Sequence, residues 1–539
     1  MNSRPPLPHL RRGTRLAALA ASLCAIYHSV PVTQAAEPET RPFLRIEAGM
    51  HTAPIRRIAT DAAGRLVLTA SQDKTARLWE LPSGKLLRVL RPPIGAGDEG
   101  KLYAGTLSPD GKLAAVGGWT GWDWDGTYCV YLFETVSGRL VRRLEGLPDR
   151  IGDLAFSDGG QRLAAVLREG NGLRVWETNQ WNEIGRDDDY GGKNSVGVDW
   201  HGEERLVSTC SDGALRLYAF STGGGLRQLA KVPARGGKEP YSARFSPDGR
   251  RIAVGFGDST KVDVIDGNDL SFLHAQDTSG VDNGNLGSVT WSEDGMSLAA
   301  GGMWNVQGDD NGIRRWAQAG KGKPQDRAAS ATTIFDLRPL PGGGILFGAV
   351  DPSWGVLSAS GQRSLHGAPP VADYRALLEN FLLSADGTAV AFGFEFSGKS
   401  PAHFSIHGRT LSLGDGASQP GLKAPVMGGL PVTDWDNSQQ PILNGMRIEM
   451  DEGEWSQSLA IARDASGFLL GTEWNLRSYS ATGEERWKVP ASGAAWAVNL
   501  TADGRLAVAA YGDGTIRWHD VENGGRELLA FFPHADRKR

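Results

Sequence analysis

A polar turn containing glycine, followed at once by a short apolar strand, recurs along the whole chain. The clearest copies begin at Asp61, Ser108, Ser157, Ser246, Ser292, Ser384 and Thr501, and weaker copies begin at Trp200, Leu340, Trp435 and Arg463. The turn glycines follow one another at intervals of about 45 residues or multiples of that length, which is typical of stacked repeats of one supersecondary unit. Each unit must bury its faces against the next, so this recurrence constrains the fold more than any local motif.

Each repeated unit contains several strands. A second strand ends in an aromatic residue and often an acid, as in ARLWE from Ala76, VYLFE from Val130 and LRVWE from Leu173. A further turn leads to another short strand, as in SGKLLRVL from Ser83. Four short strands joined by Gly, Asp and Ser turns, with no helical periodicity between them, predict one antiparallel blade per unit. The sequence therefore predicts an all-β fold of β-propellers, in which about eleven four-stranded blades stack around an axis.

The units resemble WD40 repeats, and the resemblance covers about residues 42 to 533. It is strongest in the first unit, HTAPIRRIATDAAGRLVLTASQDKTARLWE. The resemblance maps the hydrogen-bonded tetrad of that family to His51, Ser71, Asp73 and Trp79. It implies that these four residues fix the geometry of the blade and have no catalytic role. Most other units lack the opening His and replace the Trp, so the tetrad is not extended to them.

The units divide into two groups, which predict tandem propellers. Seven units fill about residues 43–368, a common number of blades in this family, and four fill about residues 372–533. We expect the second propeller to be smaller, open or incomplete, and residues 534–539 to form a basic tail. The closing stretch YGDGTIRWHDVENGGRELLAFFPHADRKR resembles the end of the repeat region in bacterial WD40 proteins that carry a caspase-like domain. We expect that domain to be absent here.

The first 36 residues differ from the rest of the chain. Four arginines precede an apolar run from Leu16 to Ile26, no acid appears before Glu37, and small residues lie at Ala35 and Ala36. This layout is typical of a signal peptide over residues 1–36, and the apolar run is shorter than the about 20 residues that span a bilayer. We therefore expect an exported chain, periplasmic or secreted, without a membrane span after cleavage. A retained anchor helix stays an alternative, and the choice between Sec and twin-arginine export stays open.

Charge and cysteine content argue against several classes of function. The net charge of -5 offers no basic face for phosphates, so we expect no nucleic-acid partner. Cys129 and Cys210 lie in strand-like contexts without a spacing motif, which favours two small buried side chains. DWDG and GDDNG are similar to the opening of a calcium loop but lack its later oxygen ligands. We expect neither a metal nor a cofactor.

The stretch WTGWDWDG at residues 119–126 combines three tryptophans with two aspartates in a turn between the second and third strands of a blade. Such turns share one face of a propeller with the links between blades. The predicted partner-binding residues on this face are Trp119, Trp122, Asp123, Trp124, Asp125, Trp304, Asp309, Asp310, Asp351 and Trp354. Indoles beside carboxylates favour a protein partner that is basic or cationic at its contact. The alternative is that these are ordinary acidic turns whose Trp rings fold back over their own blade.

These observations favour a non-enzymatic scaffold or binding module. The sequence contains no GxSxG elbow, HExxH helix or P-loop. The alternative is a periplasmic propeller enzyme. SATGEERWKVP from Ser480 resembles the tryptophan-docking repeat of quinoprotein dehydrogenases, although it occurs once. A hydrolase or lactonase would need acids that converge from the innermost strands, and we expect those strands to be mostly apolar, with Asp199 as an exception.

Overall fold

A computed structural model of the chain describes residues 47–220, 225–308, 310–368, 371–414 and 421–534. The predicted signal peptide, residues 43–46 of the predicted first domain, Asp309 and residues 535–539 of the predicted tail lie outside the described residues. The described chain consists of short antiparallel strands in eleven sheets, ten with four strands and one with three, paired in chain order. The predicted all-β fold of tandem WD40-type propellers is confirmed.

The first seven sheets have four strands each. Their bounds are β1 (Ile55–Thr60), β2 (Leu66–Ser71), β3 (Thr75–Glu80), β4 (Lys85–Leu90); β5 (Leu102–Leu107), β6 (Leu113–Gly118), β7 (Tyr128–Glu134), β8 (Leu140–Leu147); β9 (Ile151–Phe156), β10 (Arg162–Leu167), β11 (Leu173–Glu177), β12 (Glu183–Asp187); β13 (Ser195–His201), β14 (Arg205–Cys210), β15 (Ala214–Phe220), β16 (Leu226–Pro233); β17 (Pro240–Phe245), β18 (Arg251–Phe256), β19 (Val262–Asp266), β20 (Phe272–Ala275); β21 (Ser288–Trp291), β22 (Leu298–Gln307), β23 (Asp310–Trp316), β24 (Pro324–Ser330); β25 (Ile334–Leu340), β26 (Gly344–Ala349), β27 (Trp354–Leu357) and β28 (Arg363–Gly367).

The last four sheets include the three-stranded one, which is the ninth. Their bounds are β29 (Leu382–Leu383), β30 (Ala389–Glu395), β31 (Lys399–Ser405), β32 (Thr410–Leu413); β33 (Val432–Thr433), β34 (Ile442–Leu443), β35 (Met446–Arg447); β36 (Ser456–Ile461), β37 (Gly467–Thr472), β38 (Asn475–Ser480), β39 (Glu485–Pro490); β40 (Ala495–Leu500), β41 (Leu506–Tyr511), β42 (Ile516–Asp520) and β43 (Arg526–Phe531). One α-helical turn, α1 (Trp122–Asp125), and three short 3-10 turns (Pro341–Gly343, Leu378–Asn380 and Phe396–Gly398) complete the described elements.

The recurrent turn of the sequence is a recurrent hydrogen-bonded loop between the first and second strands. In the second sheet, Ser108 Oγ donates to Asp110 Oδ1 at 2.7 Å and accepts the N–H of Leu113 at 2.9 Å. Gly111 follows with a φ of +74°, a conformation that other residues rarely adopt. The same serine or threonine pattern starts at Ser246, Ser292, Ser384 and Thr501. These side chains set the turn, which is why the motif repeats.

The first seven sheets form a closed ring. Their innermost strands, β1, β5, β9, β13, β17, β21 and β25, contact one another in that order, and β25 returns to contact β1. Asp336 Oδ2 accepts the N–H of Ile58 at 3.2 Å, and Arg338 Nε donates to the carbonyl of Ile58 at 3.1 Å. These bonds join the seventh sheet to the first. Apolar side chains from facing sheets fill the spaces between them, as Leu68 and Val116 do.

The last four sheets pack together through their own contacts. β36 contacts β40, and β29 also contacts β40. Trp518 Nε1 donates to the carbonyl of Gly387 at 2.7 Å, which links the last sheet to the eighth. Leu443 of the ninth sheet and Phe468 of the tenth share one apolar cluster. The assignment of residues 43–368 and 372–533 to separate domains stays a prediction.

Direct contacts connect the two groups of sheets. Trp474, in the turn between β37 and β38, donates from Nε1 to Asp98 Oδ1 at 3.1 Å. Lys101 Nζ lies 3.2 Å from Glu473 Oε2 and 2.6 Å from Asp98 Oδ1. Burial alone would lower the pKa of Lys101, but the two carboxylates outweigh it and raise the pKa. In the part of the chain that the structure describes, no helix has the length and apolar character needed to cross a membrane.

Candidate binding surface

The hydrogen-bonded network predicted for the first sheet forms around His51, but a different hydroxyl completes it. His51 Nδ1 lies 2.8 Å from Asp73 Oδ2, and His51 Nε2 lies 2.7 Å from Thr69 Oγ1. Trp79 Nε1 donates to the same Thr69 Oγ1 at 2.9 Å. Ser71 ends β2 and bonds instead to a nearby backbone carbonyl and to the N–H of Asp73. The structure therefore corrects the linking hydroxyl from Ser71 to Thr69.

Charge interactions in this network favour an ionised Asp73. Burial by itself raises the pKa of Asp73, but the charge of His51 and its hydrogen bond outweigh burial and lower the pKa well below its ordinary value. Every side chain of the network is buried. The network joins strands of one blade, so it acts on the geometry of that blade.

The fourth sheet builds an equivalent network from other residue types. Tyr190 Oη lies 2.6 Å from Ser208 Oγ and 2.9 Å from Tyr218 Oη. Ser208 and Tyr218 occupy the positions in β14 and β15 that Thr69 and Trp79 occupy in β2 and β3. The sequence carries a signal for this match, because LVLTAS and RLVSTC share a hydroxyl at the same strand position. Comparison of aligned units predicts the linking hydroxyl better than the family pattern alone.

The tryptophan-rich stretch folds into a turn held by a buried carboxylate. Gly121, with a φ of +104°, leads into α1. Glu99 comes from the link between the first and second sheets and accepts the N–H of Gly121 at 2.6 Å and the N–H of Asp123 at 3.3 Å. Glu99 is 1% exposed, and burial raises its pKa to about 7 although both N–H groups favour the charged form. This acid, absent from the predicted site, orders the loop that presents the tryptophans.

One predicted tryptophan stands well exposed on this ordered loop. Trp122 is 47% exposed, and its ring stacks on Tyr128 with centroids 5.3 Å apart and planes at 25°. Trp119 is partly buried and meets Tyr128 edge-on at 6.0 Å, while Arg150 Cζ lies 5.0 Å from the Trp119 ring. Asp123 is exposed beside Trp122, and partial loss of hydration at its carboxylate raises its pKa. These residues form one aromatic cluster with a carboxylate at its edge.

Three of the predicted contact residues belong to the core. Trp124, Trp304 and Trp354 are 4%, 2% and 1% exposed. The Trp354 ring lies 5.2 Å from the Trp79 ring, and Trp304 belongs to an apolar cluster with Leu286. The structure corrects the prediction for these three indoles, because a buried ring offers a partner no surface. Trp304 lies within β22 and Trp354 begins β27, so both rings pack between sheets and do not project from turns.

The predicted acids divide between exposed groups and groups that serve their own turns. Asp310 is exposed, as Asp123 is. Asp351 accepts the hydroxyls of Ser330 at 2.9 Å and Ser353 at 2.6 Å. Asp125 forms an ion pair with Arg143 on β8, and Asp309 lies outside the described residues. Contact of any of these residues with a partner stays a prediction.

Charged residues of the innermost strands meet across the axis of the seven-sheet ring. Arg57 Nε donates to Asp153 Oδ1 at 2.8 Å, and Arg57 Nη1 donates to Tyr241 Oη at 3.1 Å. Arg244 Nη2 lies 3.4 Å from Asp336 Oδ1. Each contact joins sheets that are not neighbours in the ring, so these side chains fill the channel. The expectation of mostly apolar innermost strands missed this network, although IRRIAT, IGDLAF, SARF and IFDLRP carry its residues.

The acids of the channel bind backbone groups. Asp153, Asp199 and Asp336 each accept an N–H from the innermost strand of the next sheet, at Val198, Phe245 and Ile58, over 3.2, 2.8 and 3.2 Å. An innermost strand is a sheet edge, so the N–H groups on its outward side have no partner within the sheet. Burial raises the pKa of Asp199 to about 6, whereas at Asp153 the neighbouring Arg57 outweighs burial and lowers the pKa. These carboxylates bind the sheets to one another.

A β-bulge recurs at the start of six innermost strands in this ring. The extra residues are Arg56, Tyr103, Gly152, Val196, Tyr241 and Phe335, each the second residue of its strand. Bulges re-aim side chains at such strand ends. The start of each innermost strand lies at the face that carries the links between blades and the turns between second and third strands. These residues therefore surround one mouth of the channel, on the same face as Trp122.

The described residues give little support to metal binding or to thiol catalysis. Across the residues that the structure describes, no group of three or more His, Cys, Asp and Glu side chains is placed to hold a metal ion. Cys129 and Cys210 are both free and buried, as predicted. Burial raises the pKa of the Cys129 thiol to about 12 and that of Cys210 to about 11. Both thiols are therefore poor nucleophiles near neutral pH.

Comparison with known proteins finds related sequences in eukaryotes. Residues 48–80 match the family model described as WD domain, G-beta repeat. The chain is 26% identical over 225 residues to SIR4-interacting protein SIF2 of Saccharomyces cerevisiae, covering 40% of this chain and 39% of that protein. It is 25% identical over 202 residues to telomerase protein component 1 of Rattus norvegicus, covering 37% of this chain and 7% of that protein. It is 28% identical over 155 residues to coronin-7 of Rattus norvegicus, covering 28% of this chain and 15% of that protein.

The matched region spans 39%, 7% and 15% of the length of these three relatives, so the likeness concerns part of each of them. The family model covers the first sheet, whose buried network links His51, Thr69 and Trp79. The same four-stranded unit then recurs along the described chain. Residues 48–80 are therefore a WD40 repeat, and the described chain that follows repeats the same four-stranded propeller sheet.

Proposed function

We propose that the chain is a non-enzymatic binding module that recognises a protein partner through the face carrying Trp122. The observation that carries the proposal is the exposed Trp122 ring, stacked on Tyr128 and mounted on a turn that the buried Glu99 holds in place. An exposed indole on an ordered support loses little conformational freedom on binding, and such rings are common anchors of interfaces. The yeast relative is a SIR4-interacting protein, which agrees with this class of function.

The charges around Trp122 favour a partner of mixed charge. Asp123 and Asp310 are exposed acids of the face, whereas Arg56 and Arg168 lie at the channel mouth. Opposite charges on a partner would set its orientation and speed its association. A basic group beside Trp122 is the contact that the exposed Asp123 favours.

The same face gives less support to the alternative that the chain is a propeller enzyme. A hydrolase needs an acid and a base that converge on a substrate site. Asp153 and Asp336 in the channel are engaged with arginines and backbone N–H groups instead. The quinoprotein-like segment places Trp487 against the next sheet, where its Nε1 donates to the carbonyl of Val521 at 2.9 Å. That contact packs two sheets together, and a binding module needs such packing as much as an enzyme does.

Site-specific photo-crosslinking tests the proposal. A benzophenone amino acid would replace Trp122 in one variant and Met296 in another, and each would be irradiated in a cell-envelope extract. Met296 is a matched control, because it is 58% exposed on a turn between first and second strands, at the opposite end of its sheet. We expect a discrete adduct from position 122 that excess unmodified chain suppresses and excess Trp122→Ala chain does not. The same adducts from both positions, or none from position 122, would contradict the proposal.

A further inference from the structure

Two arginines at the channel mouth point at one aromatic ring and have no acceptor in the described protein. Arg56 Cζ lies 5.7 Å from the centroid of the Tyr103 ring, and Arg168 Cζ lies 5.1 Å from the same centroid. Arg56 Cζ also lies 4.4 Å from the Phe335 ring. Arg168 Nε is buried without a hydrogen-bond partner. Among the described residues, neither guanidinium forms a hydrogen bond or an ion pair.

The arginines deeper in the channel are different. Arg57 pairs with Asp153, and both Arg244 and Arg338 pair with Asp336. A buried charge is ordinarily paired, since loss of hydration is costly. The channel therefore provides each of these inner guanidiniums with a carboxylate and leaves the two at the mouth without one.

The position of this pair follows from the fold. Arg56 is the bulged residue of β1 and Tyr103 the bulged residue of β5, so the bulges bring them together at the channel mouth. Arg168 follows β10 directly, in a turn of the same face, and its backbone N–H donates to the carbonyl of Arg150 at 3.0 Å. Burial lowers the pKa of Arg168 to about 10, and the nearby Arg56 contributes to this shift. A bound anion would relieve both effects.

We propose that Arg56 and Arg168 form a receptor for an oxyanion, a carboxylate or a phosphate, carried by a peptide segment of the protein partner. The guanidinium fork bonds both anions in a bidentate geometry. Cation–π attraction to Phe335 and Tyr103 restrains the two forks, so little freedom is lost on binding. The peptide assignment rests on the proposed binding function, because the mouth opens on the face of Trp122.

Calorimetric titration of the full chain with sodium phosphate and with sodium acetate tests the anion site, at an ionic strength matched with chloride. The variants are Arg56→Gln, Arg168→Gln and the control Arg142→Gln, whose side chain is exposed on β8. Loss of one charge-assisted contact should weaken binding about tenfold or more. The unmodified chain should bind phosphate, acetate or both, and the Arg142→Gln control should bind the same anion with the same affinity. Equal binding by the Arg168→Gln chain, or no binding of either anion by the unmodified chain, would overturn the site.

Two further readouts separate the site from a structural role and from the partner proposal. Arg168→Gln should unfold at the same or a higher urea concentration than the unmodified chain without anion, because it removes a half-buried charge that has no counter-ion. A marked loss of stability would mean that Arg168 is structural. The position-122 adduct should weaken in the Arg168→Gln chain if the anion belongs to the partner. An unchanged adduct with lost anion binding would overturn the peptide assignment, whereas a missing adduct with intact anion binding would overturn the proposed function alone.

Discussion

Trp122 and Trp124 are two residues apart, and their substitution should have opposite consequences. Trp124 is 4% exposed and Trp122 is 47% exposed. Replacement of a buried Trp by Ala leaves a cavity and costs about 3 to 5 kcal/mol, so Trp124→Ala should lower the free energy of unfolding by that amount. Trp122→Ala leaves no enclosed cavity and mainly removes the stack on Tyr128, worth about 0.5 to 1.5 kcal/mol. The two variants should therefore differ by about 1.5 kcal/mol or more.

Urea unfolding followed by far-ultraviolet circular dichroism measures this difference without relying on tryptophan fluorescence. The crosslinking competition supplies the second measurement. Trp122→Ala should lose competition while it keeps the unfolding curve of the unmodified chain nearly unchanged. Equal losses of stability in the two variants would refute the assignment of Trp124 to the core and of Trp122 to the surface. A Trp122→Ala chain that competes fully would refute the role of the exposed ring.

Three further predictions follow from buried groups and from the leader. Thr69→Val leaves His51 Nε2 and Trp79 Nε1 without their shared partner and should cost about 2 kcal/mol or more in urea unfolding, whereas Thr69→Ser keeps the hydroxyl and should cost less. Because the pKa of Asp199 rises from 3.8 to about 6 on folding, the folded chain binds a proton between these values and loses stability as pH rises through them. Asp199→Asn should abolish that part of the pH dependence in unfolding titrations, and an unchanged profile would contradict the assignment. If residues 1–36 are a signal peptide, the chain expressed with its leader should be recovered from the periplasm or medium with a new N-terminus near residue 37, and an intact N-terminus on the exported chain would contradict cleavage.

The sequence predicted the fold well because its information is local. A serine or threonine hydroxyl, an aspartate and a glycine close five of the turns through bonds within about five residues, so the repeat can be recognised without tertiary contacts. The alternating apolar strands indicated which elements pack between sheets. Cys129 and Cys210 were placed correctly in the core for the same reason.

The exposure of the candidate binding residues was predicted less well, because burial of a turn residue depends on where its backbone directs the side chain. Trp122 and Trp124 belong to the same turn, yet one ring faces solvent and the other is buried. Trp354 reaches Trp79 from the seventh sheet, a contact that exists only once the ring closes. The family pattern also favoured Ser71 as the hydroxyl that bonds to Trp79. In the structure, Thr69, which lies two residues earlier in β2, makes that bond.

By itself, the sequence determined the repeated four-stranded unit, its turns and the position of a tryptophan-rich loop, since these follow from residues close together in the chain. Only the tertiary structure decided which side chains meet at the axis. Arg57 and Asp153 are 96 residues apart in the chain and bond at 2.8 Å because ring closure brings their strands together. The same closure, with the bulges of β1 and β5, sets Arg56 beside Tyr103 and leaves its guanidinium without an acceptor in the described protein. Closure of the seven-sheet ring therefore determines which side chains meet at the mouth of the channel.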